Sequence, residues 1–304
     1  MGTIRLAVVQ PRTLRPQENA NVERAAGYAR QAAEVGAQLI AFPECYPGPY
    51  SGPADYDAAG ALGAVAREYG VCVAYGFMAA VPGSGAYHNV YQLLGADGSV
   101  VARYAKTIPS PVDGQLSGKE SVPGETLALA RLPWGNVGLL ICWEAWFPEL
   151  CRTLAMKGAD LVLFPTGGML YHLANVWGTL IQARATENLI YTASCVNLFG
   201  VEDGFAHICG PEGSLASSVE EGVLIADLDL DRLRYLRELE SRLAPHMTVP
   251  LDPLKVRRFV YATAGFVSGA LSFAVIGLEL GDITRSMQPL RQGFVTAAVA
   301  FLGG

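Results

Sequence analysis

Three residues of different chemistry each stand at the end of an apolar, strand-like run. Cys142 closes Gly138-Leu139-Leu140-Ile141, Glu44 follows Leu39-Ile40-Ala41-Phe42-Pro43, and Lys106 follows Val100-Val101-Ala102-Arg103-Tyr104-Ala105. A strand that runs into a tight turn and then a helix exposes a side chain at the sheet's carboxyl end. The helix start also leaves backbone N–H groups free to meet an anion. A thiol placed there can act as a nucleophile. A carboxylate emerging from a buried strand into the turn Cys45-Tyr46-Pro47-Gly48-Pro49 can serve as its base. A fixed ammonium can hold a developing oxyanion. Singly, each residue has a plainer reading: a buried cysteine, a loop glutamate, a surface lysine. At three strand ends of one pattern, they outline covalent catalysis.

The elements that must position them alternate along the chain. Strand patterns cover Ile4–Val9, Gln38–Phe42, Val71–Phe77, Val90–Leu94, Val137–Cys142, Leu161–Phe164, Ile190–Val196 and Val223–Asp227. Alanine-rich helical patterns cover Asn19–Glu34, Ala58–Tyr69, Phe147–Lys157 and Val176–Asn188. Gly36, Gly70 and Gly158 closely follow three of these, where helices end. Such alternation predicts an α/β layered fold. Ala96-Asp97-Gly98 between two strand patterns predicts a hairpin, which makes the sheet mixed rather than purely parallel. No internal repeat stands out in the sequence.

Bulk composition narrows the partner. The chain has 304 residues, 51% hydrophobic and 16% charged, which excludes a disordered chain. Its net charge of −6, without a basic cluster, argues against nucleic acid and for a small molecule. Six cysteines without a CxxC pair, and no signal sequence before the first strand, predict a reducing, cytoplasmic setting. Phe259–Leu278 carries no charge and has the length of a membrane span. It is rich in Ala, Gly, Ser and Thr, so a buried or subunit-interface segment is expected rather than an anchor. With Pro245, Pro250 and Pro253 breaking the pattern, the chain reads as a catalytic domain over 1–240 and a tail over 241–304.

The segments FPE at 42–44, YAK at 104–106 and ICWEAWFPE at 141–149 resemble the nitrilase superfamily of carbon–nitrogen hydrolases. MKGADLVLFPT at 156–166, ARATENLIYTASCVN at 183–197, GPEG at 210–213 and VLIADLDLDRLR at 223–234 add to the match. The resemblance implies a four-layer α-β-β-α sandwich with two mixed sheets, paired face to face in a homodimer, and no metal or other cofactor. It also implies Glu44 as base, Lys106 as oxyanion stabiliser and Cys142 as nucleophile. Many members carry a second active-site glutamate. Glu120 is the nearest candidate, although its stretch is shorter than usual, and Asp113 is the other acid there. Trp143, Tyr50, Trp146 and Trp177 are expected to line a substrate pocket or, in part, to fill core. His172 and His207 are expected to be structural or pocket-wall residues rather than bases. The implied reaction is hydrolysis of an amide or N-carbamoyl amine through a cysteine thioester. The Cys-Trp-Glu motif, which nitrilases share, keeps nitrile hydrolysis as the alternative. A catalytically silent binding protein on the same fold is the remaining one.

Overall fold

The computed structural model describes residues 2–14, 19–49, 58–110, 120–168, 174–198 and 204–243. Two six-stranded sheets carry the architecture. The first, in the order β12-β1-β2-β3-β4-β5, comprises β1 (Thr3–Gln10), β2 (Leu39–Ala41), β3 (Cys72–Ala80), β4 (Tyr87–Leu94), β5 (Val100–Ala105) and β12 (Gly222–Asp229). The second, in the order β11-β10-β9-β8-β7-β6, comprises β6 (Ala128–Leu132), β7 (Gly135–Leu139), β8 (Leu161–Thr166), β9 (Tyr191–Val196), β10 (Ala206–Gly210) and β11 (Gly213–Ser218). Both are mixed: β1, β2 and β3 are parallel, as are β7, β8 and β9, with antiparallel strands outside them.

Alternation along the strands assigns the layers, because successive side chains leave a strand on opposite faces. Ile4, Leu6 and Val8 of β1, with Tyr91 and Leu93 of β4, share a core with Val137, Leu139 and Leu163 of the second sheet. Ala7 and Val9 face the other way, joining Ala25, Ala29 and Ala32 of α1 (Ala20–Glu34) and Leu62 and Val65 of α2 (Ala58–Tyr69). Beneath the second sheet, Cys151 and Leu154 of α3 (Pro148–Met156) and Ile181 and Ala185 of α4 (Ala174–Asn188) complete the same central core. The result is the expected sandwich of helices, two sheets and helices. A final helix, α5 (Leu230–Leu243), is held by Arg237, which bonds Asp160, Ala159 and Leu189.

The element order β-α-β-α-β-β-β occurs twice, over β1–β5 and over β7–β11. In each half three parallel strands lie side by side, so their carboxyl ends, and the loops after them, gather at one end of the sheet. The leading strand of each half also gains an antiparallel neighbour. For β7 that neighbour is β6, and for β1 it is the distant β12, in register from Thr3↔Asp229 to Gln10↔Gly222.

One boundary differs where it matters. The strand expected to run through Cys142 ends at Leu139, and Cys142–Trp146 forms a 3-10 turn. Among the described residues no helix is long and apolar enough to cross a membrane. The apolar run Phe259–Leu278, with the rest of the chain beyond Leu243, lies outside the described residues.

Candidate active site

Glu44 sits in the turn after β2 and is 5% exposed. Its Oε1 accepts hydrogen bonds from Lys106 Nζ at 2.8 Å and from Asn89 Nδ2 at 2.7 Å. Its Oε2 accepts the Gly167 N–H at 2.7 Å. The Glu44 carbonyl accepts Asn197 Nδ2 at 2.8 Å, and Asn197 Oδ1 in turn accepts the Thr13 hydroxyl at 2.7 Å. One residue thus gathers β4, the end of β5 and the ends of β8 and β9, drawn from both sheets. Lys106 is only 1% exposed. Two charges taken out of water this far persist only when paired and given further hydrogen bonds. Glu44 supplies the pairing, with Asn89 and Gly167 as the additional donors.

The turn holding Glu44 lies directly on the β3 backbone. The Gly76 N–H donates to Tyr46 O at 2.9 Å. A Cβ at Gly76 would come within 2.4 Å of Cys45 N and 3.0 Å of Pro43 O, so only glycine permits this approach. Cys45 takes φ 52°, in the left-handed region.

Cys142 also lies in that region, at φ 46°. A non-glycine residue held there costs on the order of 1–3 kcal/mol and must be fixed by its surroundings. Glu144 contributes: its N–H donates to Ile141 O at 3.0 Å, and its Oε2 accepts the Ile141 N–H at 2.7 Å. Arg184 of α4 adds a bond from Nε to Ala145 O at 3.1 Å. Of the six cysteines, all in the thiol form, Cys142 is the one that is not buried. Burial pushes the Cys151 and Cys209 thiols up to about 12 and Cys195 higher still. A thiol held protonated in this way is a poor nucleophile.

The remaining expected site residues separate. Trp143 is half-buried, with ring centroids 6.1 Å from Trp146 and 6.3 Å from Phe147. Trp146 is 40% exposed. Trp177 departs from the pocket expectation. It is 2% exposed in the central core, and its indole N–H is satisfied by Ser194 Oγ at 2.8 Å, so it fills core. Glu120 has an exposed side chain, and its carbonyl accepts the Tyr87 N–H at 2.9 Å. Tyr50, Asp113 and His172 lie outside the described residues. His207 is buried on β10, its Nε2 2.8 Å from Ser214 Oγ and 3.3 Å from Cys209 Sγ. Asn89, Asn197, Gly167 and Glu144 were not anticipated. Asn89 did leave a signal: it shares the inward face of β4 with Tyr91 and Leu93, a polar residue among apolar ones. Glu144 left another, an acid two residues past Cys142 in an otherwise apolar turn.

With that geometry in view, comparison with known proteins gives the class. The family model described as carbon-nitrogen hydrolase matches residues 5–238, and the chain belongs to that family. It is an enzyme of the carbon–nitrogen hydrolase type. Among curated proteins it is similar to omega-amidase NIT2 of Bos taurus, 29% identical over 260 residues, covering 78% of this chain and 93% of that one. The Homo sapiens omega-amidase NIT2 is 28% identical over the same shares. Among solved structures it resembles an amidase from Nesterenkonia sp., with TM-score 0.67 and 28% identity over 79% of this chain and 96% of that one. In one substituted form of that amidase, the acetamide moiety of fluoroacetamide is covalently added at the active-site cysteine. Saccharomyces cerevisiae Nit3, of the nitrilase superfamily, shares the fold at TM-score 0.69 and 23% identity, covering 78% of this chain and 94% of that one.

Proposed function

We propose that this enzyme hydrolyses the amide of a small molecule, releasing ammonia and a carboxylic acid through a thioester on Cys142. The observation that carries the reading is the Glu44 carboxylate, held by Lys106, Asn89 and Gly167 at the strand ends and joined in one fold with the accessible thiol. An ordinary thiol is mostly protonated at neutral pH and needs a base. Glu44 takes the Cys142 proton as sulfur bonds to the carbonyl carbon. Lys106 Nζ and the Trp143 backbone N–H hold the resulting oxyanion. As the intermediate collapses the C–N bond breaks, and Glu44 returns the proton to nitrogen, which leaves as ammonia. Glu44 then takes a proton from water as its oxygen attacks the thioester, the C–S bond breaks, and the thiol is restored.

Glu120 enters as a rim residue that meets the substrate's leaving nitrogen. Its exposed side chain lies on the stretch pinned to Tyr87, and four residues on the Gly124 N–H bonds to Lys106 O at 2.8 Å. Trp143 and Trp146 supply the apolar wall. The amidase names among the relatives and neighbours favour an amide over an N-carbamoyl amine or a nitrile. The enzyme works as a cytoplasmic homodimer, with 241–304 contributing to the interface. Six cysteines without a disulfide among them support the reducing setting, and exposed Tyr235 and Leu239, one turn apart on α5, support an apolar contact there.

The test is ammonia release from a short aliphatic amide, an N-carbamoyl amine and an aliphatic nitrile, with Cys142→Ala alongside. Ammonia and acid from the amide alone establish the reading. Carbon dioxide with a free amine from the carbamoyl compound, or preference for the nitrile, moves the enzyme to that substrate class. No difference between wild type and Cys142→Ala on any substrate refutes it.

A further inference from the structure

The proposed chemistry leaves Glu144 without a part, yet no acid among the described residues is more fully enclosed. It is 0% exposed, and its carboxylate accepts five hydrogen bonds. Oε1 accepts from Tyr104 Oη at 2.6 Å, Thr107 N at 2.8 Å, Thr107 Oγ1 at 2.7 Å and Ile108 N at 3.1 Å. Oε2 accepts from Ile141 N at 2.7 Å. The division between the oxygens is informative. All four donors to Oε1 flank Lys106 in sequence, whereas the donor to Oε2 immediately precedes Cys142. The first sheet ends in one group of donors and the second sheet in the other. A buried carboxylate satisfied only for its own sake has no need of this split.

We propose that Glu144 is a positioning residue: it ties the strand end bearing Lys106 to the turn bearing Cys142, fixing ammonium and nucleophile about one substrate carbonyl. The proposal rests on the roles given above to Lys106 and Cys142. The bond to Ile141 also holds the entry to Cys142, whose left-handed backbone needs such support. Glutamate suits the task because both its oxygens accept, and at least one backbone N–H faces each. Glutamine cannot satisfy both ends. With its oxygen on the Lys106 side, its NH2 meets the Ile141 N–H, donor against donor. The turn is then released while the fold keeps most of its bonds.

The experiment is a double-mutant cycle of Glu144→Gln with Lys106→Met. It reads ammonia release from butyramide at stoichiometric enzyme, so that slow variants remain measurable, with steady-state kinetics on Glu144→Gln. Glu144→Gln alone is expected to lower kcat by roughly ten- to a hundredfold, since displacing a reacting group by about 1 Å costs this much, with KM nearly unchanged. In the Lys106→Met background the same change is expected to cost less than about threefold, because nothing is left to position. Equal losses in both backgrounds, or a raised KM with kcat kept, overturn the proposal and leave Glu144 a merely structural acid. Should Glu144→Gln fail to fold, Thr107→Val, which removes one donor to Oε1, runs through the same cycle with a smaller fall. Failure of the underlying reading looks different: Lys106→Met or Cys142→Ala would by itself turn over butyramide at the wild-type rate.

Discussion

Glu44 and Lys106 face each other across 2.8 Å in a place that water scarcely reaches. Breaking such a pair by removing one partner leaves the other charge buried alone, at a cost of about 3–5 kcal/mol. With Glu44 as the proposed base, Glu44→Gln is expected to lose activity by at least about a hundredfold and also to unfold at lower denaturant. The double variant Glu44→Gln with Lys106→Met should recover part of the stability and none of the activity. Urea titration beside an ammonia assay separates the two effects. His207 supplies a second prediction at this scale. Burial pushes its imidazole below the ordinary value, so the folded protein keeps it neutral where the unfolded chain takes up a proton. Its contribution is fully present above about pH 6.5 and declines as pH falls below that, because the unfolded state then binds more protons. Melting temperatures at pH 7 and pH 5 should show a smaller drop for His207→Gln than for wild type.

At the scale of elements, the Glu44 turn and β3 are tied by the missing side chain of Gly76. Gly76→Ala would place a methyl 2.4 Å from Cys45 N, and the neighbour is backbone, which cannot swing aside. A loss of about 1–3 kcal/mol and an activity fall of roughly a hundredfold are expected. Gly27→Ala on α1 is the matched control. Nothing lies within 4 Å of its added Cβ, and alanine should stabilise the helix by about 0.5–1 kcal/mol. Thermal melts and kinetics of the pair test both. What the sequence disclosed follows the same logic. The helix Ala58–Tyr69 was legible to the residue because Gly70, at φ 66°, stops it. The strand β11 was not, since Gly213–Ser218 is an exposed edge with Leu215 as its one large apolar side chain. The strand expected to reach Cys142 stops at Leu139 because the turn beyond it is bonded through Glu144, a tertiary event invisible to hydrophobic pattern. The placement of Glu44, Lys106 and Cys142 just beyond strands was readable because each follows its own apolar strand pattern. Asn89 and Asn197 were not, being brought to Glu44 across 45 and 153 residues of chain by the sheets.

At the scale of the molecule, the twofold recurrence of β-α-β-α-β-β-β escaped the sequence because the halves share an arrangement rather than a motif. The site is divided between them. Glu44, Asn89 and Lys106 come from the first half, and Cys142, Glu144, Gly167 and Asn197 from the second. The proposed catalysis therefore requires the sheets to be docked as well as folded, and activity should disappear in denaturant no later than secondary structure does. Sedimentation tests the proposed dimer: twice the mass of one chain at micromolar concentration is expected, and a single-chain mass removes it.

The pairing of β1 with β12 carries a further meaning for how the protein is made. As the chain leaves the ribosome, Thr3–Gln10 appears first of the pair, and its partner Gly222–Asp229 emerges more than two hundred residues later. At ~5–20 residues per second, that leaves one flank of the first sheet bare for on the order of ten seconds or more. An unpaired strand edge invites association with other chains. The nascent enzyme thus stays vulnerable even after Glu44, Lys106 and Cys142 have all been added, until Gly222–Asp229 arrives. A chaperone that covers β1 during this interval would protect the yield of active enzyme without touching the finished site.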